Sequence, residues 1–262
     1  MMRQLQANDV HLWTGQFQPG RDLPHWPLLN AAEQQRAQRF VRDCDRCRYI
    51  WARGNLRRLL GGYLGLAPEA IEFSYGDRGK PYLAQHPVQF NLSHSGDGLI
   101  YAFSRDRPIG VDIEQLQRAK DWLPLARRFF CGTEASAIAA VPAAEQAIAF
   151  FKLWTRKEAY LKATGEGLQG LAKIEIALDA TAQVVEKGWE AWQILDLNHI
   201  PGYAGAVAWQ LPSPNPVDPP DDGGAVCQPA PTSGSVLGVA DPQAGSAPAY
   251  ESSNLTHFSL PA

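Results

Sequence analysis

Hydrophobic and polar positions alternate over Asp9-Val10-His11-Leu12-Trp13-Thr14-Gly15, the period of a short opening strand. Asn30 followed by Glu33 has the form of a capping box and predicts a helix running toward Phe40. A longer helical pattern covers about Asp45 to Leu60, with Gly61-Gly62 as its expected stop. Short β-rich runs follow at 71–75, 88–92 and 99–103, separated by Gly, Pro and Asp turns. A further strand pattern covers Pro108 to Glu114, and a strong helical pattern covers Phe150 to Lys162. Helices thus precede a small antiparallel sheet, and the order then recurs.

The recurrence has a candidate register. Trp51-Ala52-Arg53 lies eleven residues before Gly62, and Trp154-Thr155-Arg156 lies eleven before Gly165, an offset of 103 in each case. Gly98-Leu99-Ile100-Tyr101-Ala102 is echoed by Gly202-Tyr203-Ala204-Gly205-Ala206 near the same spacing. An internal duplication follows, with an N-terminal half at 1–106 and a C-terminal half at 107–212. Two such halves leave a cleft between them, a usual place for a ligand.

Composition changes the picture beyond Leu211. Of 20 prolines, 9 lie in residues 213–262, together with five acids and no Lys or Arg. The chain's net charge is −3, so residues 1–212 are net positive. A segment of that composition cannot bury enough apolar area to offset its ordering entropy, and 213–262 is expected to be a disordered acidic tail. The remainder, in a chain of 262 residues with 45% hydrophobic composition, suffices for one large domain or two small ones. No run of 18 to 20 apolar residues and no apolar leader is seen, so a cytoplasmic protein with no membrane segment is expected. Cys44-Asp45-Arg46-Cys47 has no second ligand pair for zinc and sits in a helical pattern, so reduced thiols are expected at Cys44, Cys47, Cys131 and Cys227.

Three stretches carry candidate chemistry. In Gly110-Val111-Asp112-Ile113-Glu114 the strand period puts Asp112 and Glu114 on one face, with Val111 and Ile113 on the other. Adjacent carboxylates beside apolar residues call for a positive partner, and a hard divalent cation such as magnesium is one; two solvated acids at a strand end are the plainer alternative. In the helix, Trp154, Glu158, Leu161 and Lys162 share a face. Glu158 is then a third metal carboxylate and Lys162 a phosphate cation, or the two form a surface pair worth about 0.2–0.5 kcal/mol. Arg78-Gly79-Lys80-Pro81 places two cations around a flexible glycine, and Asn91-Leu92-Ser93-His94-Ser95 adds a hydroxyl and an imidazole suited to an anion. A Ser-His-Asp hydrolase is excluded, because adjacent strand residues face opposite ways and no G-x-S-x-G elbow is present.

Taken in order and spacing, Gly79-Lys80-Pro81, Asn91-Leu92-Ser93-His94-Ser95, Gly110-Val111-Asp112-Ile113-Glu114 and Trp154-Thr155-Arg156-Lys157-Glu158-Ala159-Tyr160-Leu161-Lys162 resemble the Sfp-type 4′-phosphopantetheinyl transferases, over roughly residues 9 to 211. The cyanobacterial, HetI-like branch is the nearest in pattern. The resemblance implies an α+β fold of two pseudo-twofold halves with coenzyme A between them. It implies Mg²⁺ (or Mn²⁺) on Asp112, Glu114 and Glu158. It places coenzyme A against Lys80, Asn91, Ser93, His94, Asp112 and Lys162, with Arg78 close by and Arg36 and Arg48 toward the nucleotide 3′-phosphate. Glu33 stands where some relatives carry a lysine, and Asn55 occupies the repeat position matching Glu158. Glu158, Lys162 and His94 are the catalytic set so implied, with Glu158 as base, as metal ligand or as both. The implied partners are acyl or peptidyl carrier proteins of fatty acid, polyketide or nonribosomal peptide synthesis, acted on by a monomer that binds no nucleic acid. A metal-dependent phosphohydrolase and a non-catalytic carrier-binding protein are the alternatives to a transferase.

Overall fold

The opening alternation becomes β1, Val10–Gln16, in a computed structural model that describes residues 4–20, 22–116, 122–178, 192–198, 200–211 and 255–259. The Asn30 side chain accepts from the Glu33 amide and the Glu33 carboxylate accepts from the Asn30 amide, which starts α1, Ala31–Gln38. The long helix α2, Asp43–Leu64, runs through Gly61-Gly62 and ends at Gly65 in the left-handed region. Gly61 lies inside the helix and has no room for a side chain, because the chain folds back on it: a Cβ there would lie 2.6 Å from the Leu66 carbonyl. After α2 come β2 (Ser74–Tyr75), β3 (Pro81–Tyr82), β4 (Val88–Ser95) and β5 (Gly98–Arg105). The strand expected over 71–75 shortens to β2; at its expected start the Arg57 guanidinium donates to the Pro68 and Ile71 carbonyls, at 2.9 and 3.0 Å, and holds that stretch to α2.

The second half repeats this order as β6 (Ile109–Gln115), α3 (Leu123–Phe129), α4 (Gly132–Ala140), α5 (Ala143–Thr164), β7 (Trp192–Asp196) and β8 (Tyr203–Gln210). β1 pairs antiparallel with β5, the second strand of the β4–β5 hairpin, and β6 pairs in the same way with β8 of the β7–β8 hairpin. The α+β fold of two pseudo-twofold halves is therefore present, but its register differs from the tripeptide echo. Both long helices have 22 residues, and their bounds and αL caps, Gly65 and Gly165, are offset by 100. Arg57 and Lys157 correspond at that offset, which places Arg58 rather than Asn55 opposite Glu158. Asn55 is buried and donates to the Trp51 carbonyl within its own helix.

The two halves hold buried ion pairs of the same construction. Glu33 is the third residue of its helix, caps Asn30, and takes Arg57 Nε at 2.7 Å with both side chains nearly inaccessible. Glu134 is the third residue of α4, caps Cys131, and pairs with the fully buried Lys157 ammonium. Lys157 goes on to the Leu171 and Ile174 carbonyls just as Arg57 does to those after α2. Helix and sheet in the first half meet through Trp51, Leu56 and Leu60 against Phe90, Tyr101 and Phe103. In the second they meet through Phe150, Leu153 and Leu161 against Ile194, Ala206 and Ala208. The opposite faces of the two sheets pack on each other: Val10, Leu12, Ile100 and Ala102 against Ile109, Val111, Ile113 and Val207. The order of layers is helix, sheet, sheet, helix. No helix among the described residues is long and apolar enough to cross a membrane.

The tail expected to be disordered lies outside the described residues except at 255–259, and there the expectation fails. Leu255–Ser259 forms β9, parallel to β1 and on the side away from β5. Phe258 stacks on Trp13 with ring centroids 4.4 Å apart and meets His11 edge-on. A row of five residues too short for periodicity to register is held by one aromatic pair and the open edge of β1.

Replacing Arg57 by Met should lower unfolding free energy by about 3–5 kcal/mol, since it takes one of two cations from the buried Glu33 carboxylate and leaves the carbonyls after α2 without their donor. Asp43→Ala, which removes the partner of Arg46 from an exposed pair, should stay within about 0.5 kcal/mol. Urea unfolding distinguishes the two. Phe258→Ala should cost about 1–2 kcal/mol by the same measurement, the worth of a half-buried aromatic stack, and an unchanged midpoint would show that β9 does not hold to β1 in solution.

Candidate active site

On β6 the strand period carries out the predicted division. Val111 and Ile113 bury toward the other sheet, while Asp112 and Glu114 face the helix side. Gly110 lets α5 come close, since a Cβ there would lie 2.0 Å from the Ala159 carbonyl and 2.5 Å from the Ala163 nitrogen. That approach brings Lys162 onto β6. Its ammonium donates to Asp112 Oδ1 at 2.6 Å, and to Ser93 Oγ at 3.0 Å. Ser93 in turn donates to the same Asp112 oxygen at 2.8 Å.

β4 and β6 lie side by side and share no backbone ladder. Three polar side chains at alternate positions of β4 span the gap instead. Asn91 Oδ1 accepts from the Val111 amide at 3.0 Å, Ser93 holds Asp112, and Ser95 both donates to Glu114 Oε2 at 2.7 Å and accepts from the Gln115 amide at 3.0 Å. This polar seam joins the two halves at the site. Ser95 was not singled out from sequence, although the same period of two that marks Ser93 reaches it.

Glu158 lies one turn before Lys162 and is half-buried. Burial pushes its carboxyl up to about 7, with the Asp112 charge adding to the effect, the Lys162 ammonium opposing it and Glu114 adding a smaller part. Glu114 is raised too, first by burial, with the Ser95 hydrogen bond working against the shift and Asp112 with it. Three carboxylates therefore feel one another around a single ammonium. Among the described residues no three His, Cys, Asp or Glu side chains already converge on one point. The chemistry of the donor set nonetheless fits a hard divalent cation: all three donors are carboxylates, they repel one another, and Asp112 Oδ2 is buried with no hydrogen-bond partner.

Across β4 from this cluster lies a cavity of about 470 Å³, lined among others by Arg36, Arg48, Tyr49, Arg53, Tyr75 and His94. The long helix α2 supplies Arg48, Tyr49 and Arg53 from its outer turns. Arg48 is clasped by Asp97 of the β4–β5 turn at 2.8 Å. Arg53 pairs with Glu33 at 2.7 Å and donates to the Tyr75 hydroxyl. Glu33, where a cation would extend the positive wall, thus serves as the internal counter-ion of Arg53 and Arg57. His94 is held below its ordinary value, chiefly by burial and then by the positive charges of Lys162 and Arg48. The imidazole is neutral near pH 7 and lies in the field of both the pocket and the cluster.

The structure gathers Ser93, Asp112, Glu114, Glu158 and Lys162 in one place, and Arg36, Arg48 and His94 in the adjoining cavity. Asn91 serves the seam. Arg78 is exposed and lies against Gly167, where a Cβ would come within 2.7 Å of its Nη1. Lys80 turns away from the cavity and donates to the carbonyls of Ile109, Lys162 and Ala163. Burial lowers its ammonium to about 8. No motif in the sequence marks Arg53 or Tyr75 as part of the site; Arg53 stands inside the Trp51-Ala52-Arg53 repeat signature, which points to duplication.

Residues 108–208 match the model of the 4′-phosphopantetheinyl transferase superfamily, and residues 23–105 match that of the 4′-phosphopantetheinyl transferase N-terminal region. The 4′-phosphopantetheinyl transferase HetI of Nostoc sp. is 40% identical over 210 residues, which cover 78% of this chain and 89% of that protein. The transferase Sfp of Bacillus subtilis is 34% identical over 142 residues, 54% of this chain and 62% of Sfp. AcpT of Salmonella typhimurium is 35% identical over 138 residues, 52% of this chain and 69% of AcpT. The matched stretches contain the seam, the carboxylate cluster and the arginine-lined cavity, and the chain belongs to the 4′-phosphopantetheinyl transferase superfamily.

Proposed function

We propose that this chain transfers the 4′-phosphopantetheine group of coenzyme A to a serine of an apo acyl or peptidyl carrier protein, releasing 3′,5′-ADP in a magnesium-dependent holo-carrier synthase reaction. One observation carries the reading: the Asp112–Lys162–Ser93 node, with Glu158 beside it, adjoins an arginine-lined cavity through the neutral His94. A nucleotide with several phosphates needs such a pairing of an anion-binding cavity with a charge-neutralising end.

In the reaction the serine oxygen bonds to the β-phosphorus of coenzyme A. The bond from that phosphorus to the bridging oxygen breaks, and the oxygen leaves with the ADP. Lys162, already aimed at the seam, meets negative charge growing on the pyrophosphate oxygens. Arg36 and Arg48 bind the nucleotide end, and His94 donates to a phosphate oxygen between them and Lys162. The serine proton goes to Glu158, directly or through water. Asp112, Glu114 and Glu158 are the residues that would hold Mg²⁺, or Mn²⁺ in its place, which when bound supplies Lewis-acid neutralisation of the pyrophosphate charge. Free thiols at Cys44, Cys47 and Cys131 fit the reducing conditions of the cytoplasm. The carrier substrates belong to fatty acid, polyketide or nonribosomal peptide synthesis, and the enzyme acts as a monomer without nucleic acid.

Three outcomes test this reading. Mixed with coenzyme A, Mg²⁺ and an apo carrier protein, the enzyme should make the carrier heavier by one phosphopantetheine arm. Release of inorganic phosphate with an unmodified carrier would instead identify a phosphohydrolase, and capture of the carrier without loss of coenzyme A a binding protein. Lys162→Ala should lower kcat/KM for coenzyme A by the equivalent of about 2–4 kcal/mol, the scale of one lost preorganised donor. Lys162→Arg should recover it only in part, because a planar fork replaces a compact ammonium; unchanged kcat/KM in the alanine variant would remove Lys162 from the mechanism.

The third outcome is a pH dependence of stability in chelator. Glu158 is raised from 4.5 to about 7 in the folded state, so between those values the native protein holds a proton that the unfolded chain gives up. Stability from this group is full below the unfolded value and is lost as pH rises through the folded one. Relative to Glu158→Gln, the melting temperature of the wild-type protein in EDTA should therefore fall as pH goes from about 5 to about 8. Parallel slopes for the two proteins would contradict the raised carboxyl.

A further inference from the structure

The last turn of a helix leaves carbonyls without intrahelical donors. At the end of α5 the αL residue Gly165 satisfies one of them, its amide donating to the Leu161 carbonyl at 2.9 Å. The next two carbonyls, those of Lys162 and Ala163, receive the Lys80 ammonium, which reaches them from the loop before β3 across 82 and 83 residues of sequence. The same ammonium donates to the Ile109 carbonyl at the start of β6. An ammonium has three donors, and here three carbonyls take them.

We infer that Lys80 is a positioning residue that caps the catalytic helix from outside and locks it to β6, rather than a direct contact to coenzyme A. The inference rests on the transferase reading and departs from the role that the family resemblance implies for Lys80. Its physical basis is an absence of slack. Gly110 brings β6 against α5 so closely that a single methyl group would collide with two backbone atoms of α5. Lys162 is anchored twice, its carbonyl to Lys80 and its ammonium to Asp112 and Ser93. Glu158 hangs on the same turn. A shift of the helix end moves both groups relative to Asp112, and small misplacements of reacting groups are costly. A positive group at the helix C-terminus is also favoured by the helix dipole, without any bound anion. The segment carrying Lys80 belongs to the first half of the chain and α5 to the second, so this cap ties the nucleotide-side half to the catalytic helix.

Lys80→Met keeps the aliphatic stem and removes the donors. Hydrogen exchange of the ligand-free protein should then quicken in the closing turn of α5, at residues 162–165, by about tenfold or more relative to wild type, as expected for a frayed end. In the transfer assay kcat should fall by about 10- to 100-fold, while KM and the equilibrium Kd for coenzyme A stay within about threefold. Lys80→Arg should restore much of the protection, since its fork can still reach carbonyls, and should recover kcat in the same proportion. Unchanged exchange in the ligand-free Lys80→Met protein would overturn the proposal. So would a Kd for coenzyme A weakened more than about tenfold with kcat preserved, the mark of a direct phosphate contact. If Lys80→Met does not fold, Lys80→Arg and Lys80→Gln take its place in the same exchange and binding measurements. Failure of the wild-type protein to modify any carrier would defeat the transferase reading, while the exchange comparison would still decide the role of Lys80.

Discussion

A carboxylate buried at the third position of a short helix, paired with a cation buried on the long helix that follows, sets the geometry of both halves. Such pairs cost much to desolvate, and either partner left alone costs about 3–5 kcal/mol. Glu33–Arg57 and Glu134–Lys157 are nearly inaccessible, and each cation also satisfies carbonyls of the irregular segment after its helix. The pair therefore fixes where the helix lies along its axis and how it is rotated. Lys157 points into the core of the second half, so Glu158, about 100° further round the helix, is turned to β6. In the first half the second oxygen of Glu33 takes Arg53, which lines the cavity. A structural pair thereby orients functional groups on both sides.

The two halves share a scaffold and divide the chemistry. At the matched helix positions one half carries Arg58 and the other Glu158, so only the second brings a carboxylate to its strand. The first half contributes cations instead: Arg36, Arg48 and Arg53 surround the cavity. Neither half has both parts of the site. The seam between β4 and β6 is what makes them one, and it uses side chains in place of a backbone ladder.

The chemical center was the most legible part of the sequence. A strand period of two puts Asp112 with Glu114, and a helix period puts Glu158 with Lys162, whatever surrounds them. Those rules are local. What they did not show depends on the approach of distant segments. Lys80 reads as an anion-binding cation beside a glycine, yet the orphan carbonyls of α5 reach it first. Gly61-Gly62 reads as a helix stop, yet the fold-back at Leu66 needs a helix without a side chain there. Composition marked 213–262 as unable to bury itself, but five residues of it need only an open strand edge and one tryptophan. The repeat was visible, but its register was drawn from a tripeptide, while the structure aligns on caps and buried charges that sequence identity does not preserve, since arginine and lysine fill the same role.

Adjacent residues of the Asn91-Leu92-Ser93-His94-Ser95 run belong to different parts of the site because β4 is the wall between them. Asn91, Ser93 and Ser95 face β6 and hold the seam, whereas Leu92 and His94 line the cavity. A strand in this position can address both sides only by alternation, which is why the run mixes small polar groups with larger ones. Serine and asparagine are short enough to hydrogen-bond across to a neighbouring strand without forcing it away. Histidine on the opposite face reaches out into the cavity. The charges on both sides act through this thin partition: Lys162 and Arg48 add to the burial that lowers His94, and Asp112 opposes them. A neutral imidazole between two cations adds a hydrogen-bond donor without a third positive charge, so the wall can carry both cations without a further repulsion between them.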